Sequence, residues 1–201
     1  MKSLAFLMRK DFVDHGDGKM ELIEMIDTLA DKSLAVISET LAHVMARSTP
    51  SIMSEFDLGA MCDDVLVLLD PFRVHAVHYP RVLLNADVTA MHIILRNLID
   101  NAFKHAGVDT VTVDVSVTQM NPQRLCIDVA DNGAGFGGTE HPVEPRVPSR
   151  RGYGLGAVHR LVKARGGKID FGPGKDGTGV CVRIELPGRI QATAPEIARA
   201  M

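Results

Sequence analysis

The sequence predicts an α+β protein, in which a long helix or a helical hairpin precedes a domain that combines helices with a β-sheet. Apolar residues recur at helical spacing from Lys19 to Arg47, which predicts one long amphipathic helix. The segments Thr110–Thr118 (TVTVDVSVT) and Arg124–Ala130 (RLCIDVA) alternate with period two, which is typical of strands with one covered face. The apolar spacing within Asp87–Ala106 and Gly154–Gly167 predicts two further helices.

The composition excludes several classes of protein. Hydrophobic residues make up 46% of the 201 residues, and 22 basic against 25 acidic side chains give a net charge of −3. These values disfavour a disordered chain and a strongly basic nucleic-acid-binding protein. No apolar run approaches the ~20 residues that span a bilayer, and the first residues lack a signal-peptide pattern. We therefore expect no membrane segment in this chain, no nucleic-acid partner and a cytoplasmic location.

The three cysteines, Cys62, Cys126 and Cys181, lie far apart and form no C-x-x-C pair. This spacing argues against a disulfide framework and against a zinc site. Reduced, mostly buried thiols are expected.

The helix predicted over 19–47 would be ~40 Å long at 1.5 Å per residue, which is longer than one small domain can cover. Its apolar stripe therefore needs a second helix, either in a bundle or across the seam of a homodimer. Ser3–Phe12 would form a short antiparallel helix, with Val13–Gly18 as the turn. A proline and small polar residues in Ser48–Leu58 mark a boundary. We divide the chain into a dimerisation-like helical hairpin (1–50), a main domain (51–187) and a C-terminal tail (188–201).

The main domain begins with a helical segment, LGAMCDDVLVLLDPF, followed by the extended pieces PFRVHAVHYP and RVLLNA. Asp87 is the expected N-cap of the next helix, and Gly107 is its expected stop. The residues NPQ form the turn between the two alternating strands. KIDF and GVCVRIELP complete the predicted strands.

Asn97, Asn101 and Lys104 lie within one predicted helix, at spacings that place them on one face. An amide oxygen is a suitable hard ligand for Mg²⁺, which usually binds substrate phosphates as well, and a lysine adds a point charge to those phosphates. His105 follows directly and would border the same place. Exposed asparagines are ordinary, however, so the pair alone favours a solvated helix face.

Two glycine-rich segments and one threonine turn are further candidates. DNGAGF (Asp131–Phe136) directly follows a strand, so Asp131 offers a fixed acceptor for the exocyclic amine of adenine, although a simple turn explains the pattern equally well. Gly152, Gly154 and Gly156 precede a helix, where backbone N–H groups bind phosphate. Thr178 lies in the turn that opens the last strand, where it can bond a phosphate, although by itself the pattern is that of an ordinary hairpin. No G-x-x-x-x-G-K-[ST] string occurs, which excludes a P-loop.

Taken in order, NLIDNAFKH, DNGAGF, GYGLG and GTGV…LP closely resemble the nucleotide-binding boxes of sensor histidine kinases, over about Glu55 to Pro187. That ATP-binding domain belongs to a superfamily shared with gyrase, clamp-forming heat-shock chaperones and MutL. The resemblance implies a two-layer sandwich of helices on a mixed sheet. It also implies ATP and Mg²⁺ as cofactors, a homodimer, and a response regulator or phosphotransfer protein as partner.

The resemblance also implies roles for individual residues. Asn101 would ligate Mg²⁺, Asn97 and Lys104 would act at the phosphates, and Asp131 would bind adenine. The remaining nucleotide-binding residues would be His105, Gly133, Gly135, Gly152, Gly154, Leu155, Gly156 and Thr178, with the glycines shaping a lid. Arg146, Arg150 and Arg151 would either close on the phosphates or form a solvated loop.

Two departures from the family pattern bear on the mechanism. The ATP-hydrolysing branch carries a glutamate, as general base for water, where this chain has Asn97. A carboxamide takes no proton at neutral pH, so phosphoryl transfer to a protein histidine is favoured over hydrolysis by a clamp ATPase.

The second departure concerns the histidine that accepts the phosphate. The usual H-E-x-x-T-P-like box is absent from Met1–Phe12, and neither His15 nor His43 fits it. The acceptor therefore precedes this chain, lies on another protein, or has been dispensed with.

Two alternatives to a histidine kinase remain open on the sequence. One is a non-catalytic phosphotransfer adaptor or scaffold that keeps the kinase shape, and the intact nucleotide boxes argue against it. The other is a serine kinase that resembles anti-sigma factors, and the long N-terminal helix argues against it. His75 and His78 point to opposite faces of an extended segment, so they are assigned no role.

Overall fold

The structure is a computed structural model that describes residues 51–135, 153–174 and 177–193, together with scattered positions between Leu22 and Val44. These scattered positions are helical and exposed, and they include Leu22, Ile26 and Leu29. The full extent of the helix over 19–47 stays a prediction. The helix predicted over Ser3–Phe12 and its turn lie outside the described residues.

Within the described ranges, the chain forms three long helices and seven strands. The strands are β1 (Met53–Asp57), β2 (Ala76–His78), β3 (Val82–Asp87), β4 (Thr112–Asn121), β5 (Arg124–Asp131), β6 (Lys168–Pro173) and β7 (Val180–Thr193). The helices are α1 (Leu58–Leu69), α2 (Val88–His105) and α3 (Tyr153–Ala164). None of the helices in the part of the chain that the structure describes is both long and apolar enough to cross a membrane.

The seven strands form one mixed sheet in the order β1-β3-β7-β5-β4-β2, with β6 also paired to β7. The β2–β4 pair is parallel, and the other pairs are antiparallel. Buried residues alternate along β4, as in Val113 and Val115, and on β5 Leu125, Ile127 and Val129 face the same side while Cys126 between them is also buried. They share one hydrophobic core with residues of α1, α2 and α3. The predicted α+β sandwich of helices on a mixed sheet is confirmed.

The bounds of α2 follow from its sequence. The Asp87 carboxylate accepts a hydrogen bond from the Ala90 N–H at 2.9 Å, so it caps the helix N-terminus. Gly107, just beyond the C-terminus, has φ 71°, a left-handed conformation that glycine adopts without steric cost. Both expected signals of the helix are thus present in the structure.

The N-terminus of α2 is tied to the C-terminus of α3 by a buried ion pair. Arg165 Nε donates to Asp87 Oδ2 at 2.6 Å, and the two side chains are only 5% and 12% exposed. Asp87 therefore both caps α2 and neutralises a buried guanidinium. Breaking such a pair leaves an uncompensated buried charge.

The end of β7 differs from the sequence expectation. A tail was expected from residue 188, but β7 continues to Thr193 and pairs with β3 from Ala86 to Val82. Pro187 is the last residue of β7 that pairs with β5, opposite Arg124. The strand then changes partner at Gly188, so the missing proline N–H interrupts neither ladder.

We predict that Cys62 is unreactive in the native protein. Its side chain is fully buried, and this burial, followed by the charge of Asp63, raises the pKa of the thiol to about 12. Only about one thiol in ten thousand is then ionised at pH 8. Alkylation of the native protein at pH 8 followed by peptide mapping should find Cys62 unmodified. In about 6 M guanidinium, which unfolds the protein, all three cysteines should react. Rapid labelling of native Cys62 would contradict the burial.

Candidate functional site

The amides of α2 meet the first turn of α3. Asn97 Nδ2 donates to the Ile93 carbonyl at 2.7 Å, which fixes the orientation of the Asn97 amide. A Cβ atom added to Gly154 would lie 2.9 Å from Asn97 Oδ1 and 3.6 Å from Asn101 Oδ1. The absence of a side chain at Gly154 therefore lets α3 begin directly against the two amides. The structure brings these three predicted site residues together.

Asn101 carries an unsatisfied polar atom. Its Nδ2 is buried and has no hydrogen-bond partner within the described ranges. Buried polar groups are normally paired, so this amide has hydrogen-bonding capacity that the described residues do not use. Rotation of the amide by 180° exchanges the nitrogen for the oxygen, so the same place can present an acceptor.

The ligand atom that Asn101 can offer suits a metal ion that is also bound by phosphate oxygens. The described residues contain no cluster of three or more His, Cys, Asp or Glu side chains that could enclose a metal. Mg²⁺ does not require such a cluster, because it keeps several waters and is bound by one or two hard oxygens plus substrate phosphates. A single amide oxygen of Asn101 meets that requirement.

Asp131 lies at the C-terminal end of β5, half-buried, with its two carboxylate oxygens in different environments. Oδ1 accepts hydrogen bonds from the Gly133 N–H at 2.8 Å and from the Val180 N–H at 3.2 Å. Oδ2 receives no hydrogen bond from the described part of the chain. The first oxygen holds the side chain in place, and the second remains as an acceptor for a ligand donor.

Glycines allow two loops to close around Asp131. A Cβ atom on Gly179 would lie 1.8 Å from the Asp131 carbonyl oxygen, and one on Gly174 would lie 2.7 Å from it. Neither Gly174 nor Gly179 was among the predicted site residues. The glycine spacing in GPGKDGTG was the available signal, since two glycines flanking a turn indicate close backbone approach.

The Asp131 loop also contacts the end of α2. A Cβ atom on Gly133 would lie 2.5 Å from the Ala106 Cα, and the Ala134 N–H donates to the Ala106 carbonyl at 2.8 Å. Ala106 follows Asn101 by about one and a half helical turns, or roughly 8 Å along the axis. Asn101 and Asp131 are therefore at the same edge of the sheet.

Lys104 forms an ion pair within its own helix. Its Nζ lies 2.5 Å from Asp100 Oδ2, and the two side chains are about one-third exposed, at 33% and 29%. Exposed pairs at i,i+4 contribute only about 0.3–0.5 kcal/mol, so a phosphate can compete for this ammonium. His105 is exposed in the last turn of α2.

The remaining predicted site residues are half-buried or exposed, or lie outside the described residues. Leu155 is exposed and Gly156 half-buried in the first turn of α3. Gly135 is exposed with φ 70°, and Thr178 is exposed in the turn before β7. Gly152, Arg146, Arg150 and Arg151 lie outside the described residues, as do His15 and His43.

The two histidines without an assigned role have structural contacts. His75 Nδ1 accepts from the Val111 N–H at 3.2 Å, and its ring lies 4.2 Å from that of Phe103. His78 Nδ1 lies 3.0 Å from Asp114 Oδ1. The two imidazoles therefore have different partners.

We predict that Gly154→Ala destabilises the domain. Alanine normally favours a helix over glycine by up to about 1 kcal/mol, but here the new methyl group would collide with the fixed Asn97 amide. Overpacking of this kind costs about 1–3 kcal/mol, so we expect a net loss in the free energy of unfolding. Urea denaturation measures it. Gly172→Ala, which meets no atom within 4 Å, is the matched control. Equal stability of the two variants would contradict the close contact.

Comparison with known proteins assigns this site to a family. Residues 86–190, more than half of the chain, match the family described as "Histidine kinase-, DNA gyrase B-, and HSP90-like ATPase". The sensor protein KdpD of Escherichia coli (strain K12) is 34% identical over 129 residues, which are 59% of this chain and 14% of KdpD. The sensor histidine kinase NarS of Mycobacterium tuberculosis is 31% identical over 93 residues, which are 46% of this chain and 20% of NarS. The matches thus span at most a fifth of these two relatives.

A solved structure agrees at the level of fold. Full-length ShkA in complex with AMPPNP superposes with a TM-score of 0.59 at 23% identity, over 94% of this chain and 42% of ShkA. The matched family segment begins just before α2 and ends within β7, so it includes both asparagines and Asp131. The chain therefore belongs to the histidine kinase-, DNA gyrase B- and HSP90-like ATPase family, and its main domain is an ATP-binding domain of the histidine kinase type.

Proposed function

We propose that this chain is the catalytic core of a histidine kinase, which transfers the γ-phosphate of ATP to a protein histidine with Mg²⁺ as cofactor. The observation that carries the proposal is the convergence of Asn97, Asn101 and Gly154 at the edge of the sheet where Asp131 leaves one carboxylate oxygen available. The AMPPNP bound in the ShkA complex supports a nucleotide at this kind of domain.

In this proposal, Asp131 selects the base. Its Oδ2 accepts a hydrogen bond from the exocyclic amine of adenine, while Oδ1 stays bonded to Gly133 and Val180. The carboxylate is thereby prevented from rotating away from the base. Gly133 and Gly179 allow the surrounding backbone to approach, because any side chain there would collide with neighbouring backbone.

Asn101 and Lys104 act on the phosphates. The Asn101 amide oxygen would bind Mg²⁺, which when bound neutralises phosphate charge and orients the γ-phosphate. Lys104 exchanges its half-buried partner Asp100 for a phosphate oxygen. The first turn of α3 presents backbone N–H groups to the same anion.

Asn97 decides which nucleophile is used. Its amide is fixed by the Ile93 carbonyl and provides no base to deprotonate water. A neutral imidazole needs no base, because its ring nitrogen attacks the γ-phosphorus as the bond to the ADP oxygen breaks, and its other nitrogen then releases a proton to solvent. Transfer to a histidine of a dimerisation hairpin, with onward transfer to a response regulator, follows from this chemistry.

Incubation of the chain with γ-labelled ATP, Mg²⁺ and a separate hairpin fragment that contains an H-E-x-x-T-P-like box tests the proposal. We expect label on the fragment that is lost in acid and stable in base. Asn101→Ala should remove the transfer, whereas Asn121→Ala, in the distant β4–β5 turn, should retain it. Acid-stable label on serine would instead support the serine kinase alternative. No saturable binding of Mg²⁺–ATP would support the adaptor and reject the enzyme.

A further inference from the structure

A cavity lies at the end of the sheet away from Asp131. Its volume is about 650 Å³, within the range of small-molecule sites. It is lined by the β4–β5 turn, by the bend of β7 at Pro187–Arg189, and by Ser51, Met53 and Asn85. Arg124, at the start of β5, lines this cavity, and Asp131 lies seven positions farther along the same strand. At about 3.4 Å per residue the cavity is roughly 24 Å from the proposed nucleotide site.

Three guanidinium groups line this cavity, which we name the arginine cavity. They belong to Arg124, Arg165 and Arg189, and no Asp or Glu is among the lining residues within the described ranges. Arg165 is balanced by Asp87, which lies behind it at 2.6 Å. Arg124 and Arg189 therefore leave an excess of two positive charges at the walls.

The guanidinium of Arg124 is fixed in place and incompletely bonded. Its Nη2 donates to the Gly166 carbonyl at 2.8 Å. Its Nη1 is buried and finds no acceptor among the residues that the structure describes. An unpaired donor on a charged group is costly, and because Nη1 is shielded from solvent, a small turn of the guanidinium about its Gly166 hydrogen bond would bring Nη1 to an anion in the cavity.

The other lining groups suit the oxygens of an anion. Asn121 and Gln123 provide amide groups around the guanidinium groups, and the Ser51 hydroxyl, which donates to Asp87 Oδ2 at 3.4 Å, lies beside them. Pro122 and Pro187 stiffen two of the walls, because each proline fixes its own backbone φ angle. The cavity is thus preformed by backbone that belongs to the sheet and its turns.

We propose that the arginine cavity binds a small phosphate compound with a charge near −2. Arginine matches phosphate oxygens with two parallel hydrogen bonds, and a phosphate group carries about −1.5 to −2 at pH 7. That charge balances Arg124 and Arg189 together, whereas a single carboxylate balances only one of them. The proposal rests on this cavity alone and stands apart from the kinase function.

The test is a titration of the complete 201-residue chain with inorganic pyrophosphate, followed by calorimetry and by NMR shifts of assigned amides. We expect saturable binding, with the largest shifts at Gln123, Arg124 and Arg189. Arg189→Gln, at an exposed position, should weaken binding by about tenfold or more. Arg124→Lys keeps the charge but loses the planar fork, and it should weaken binding as well.

The matched control is Arg183→Gln, which removes a second exposed arginine from the same strand. Arg183 is paired with Asp128 and is not among the residues that line the cavity. This variant should bind pyrophosphate as the unmodified chain does. Equal affinity in Arg189→Gln and Arg183→Gln would overturn the proposal, and so would shifts confined to Gly133 and Gly154. Succinate should be compared with inorganic phosphate at pH 8, where the two dianions have nearly equal charge. Succinate should bind more weakly, and equal or tighter binding of succinate would reject phosphate as the ligand class.

Discussion

Asp131→Asn is expected to weaken ATP binding about 10- to 150-fold while the domain stays folded. The substitution can retain an acceptor oxygen for the Gly133 and Val180 N–H groups. It replaces the second oxygen by an NH₂ group, which faces the adenine amine donor to donor. Loss of a hydrogen bond to a charged acceptor costs about 1.5–3 kcal/mol, which corresponds to this range of affinity. Calorimetric titration with ATP measures the change.

Two comparisons separate base recognition from loop structure. Asp131→Ala removes both oxygens, so it should lower the thermal midpoint as well as the ATP affinity. Guanine presents a carbonyl oxygen where adenine presents its amine, so Asp131→Asn should improve the binding of GTP relative to ATP. Unchanged ATP affinity in the folded Asp131→Asn variant would show that Asp131 does not contact the base.

Asp87→Ala is expected to lower the free energy of unfolding by about 4–6 kcal/mol. Loss of a helix N-cap costs about 1 kcal/mol, and removal of one partner from a buried ion pair costs about 3–5 kcal/mol. Here the stranded charge would be Arg165, whose side chain is only 5% exposed. Domains of this size are stable by about 5–15 kcal/mol, so the loss approaches the whole. Urea denaturation monitored by circular dichroism measures it.

Asp57 provides the matched control for this effect. Asp57 caps α1 through a hydrogen bond from the Ala60 N–H at 2.9 Å, the same distance as in the Asp87 cap. Asp57→Ala should cost only about 1 kcal/mol. Asp87→Asn can keep the cap acceptor but removes the charge, so it should retain most of the large loss. A loss no greater in Asp87→Asn than in Asp57→Ala would show that the Arg165 pair contributes little.

Local signals in the sequence predicted the elements whose bounds depend on neighbouring residues. The cap at Asp87 and the stop at Gly107 define α2, and alternation defines β4 and β5. β1 was missed, because its five residues are mostly exposed and become a strand through pairing with β3, whose paired residues lie 26 to 34 positions later. The end of β7 was missed because Pro187 indicates a stop unless the strand changes partner there.

In the candidate site, too, local sequence signals predicted some features, and the packing of distant elements decided the others. Helical spacing alone places Asn97 and Asn101 on one face, and the position of Asp131 after a strand predicts a fixed carboxylate. Two other features depend on how separate elements pack: the contact of Gly154 with Asn97, and the close approach of Gly179 to the Asp131 backbone. Neither the orphaned amide of Asn101 nor the partner of Lys104 follows from spacing.

The attachment of α3 to α2 has a mechanical consequence. Its last turn is anchored through Arg165 to the start of α2, while its first turn rests on the Asn97 amide without a side chain between them. Between these two ends, Ala157, Val158, Leu161 and Val162 are fully buried in the core, so the helix is held along its whole length. Displacement of the Gly154 turn from the amides would therefore strain the core and the Arg165–Asp87 pair together.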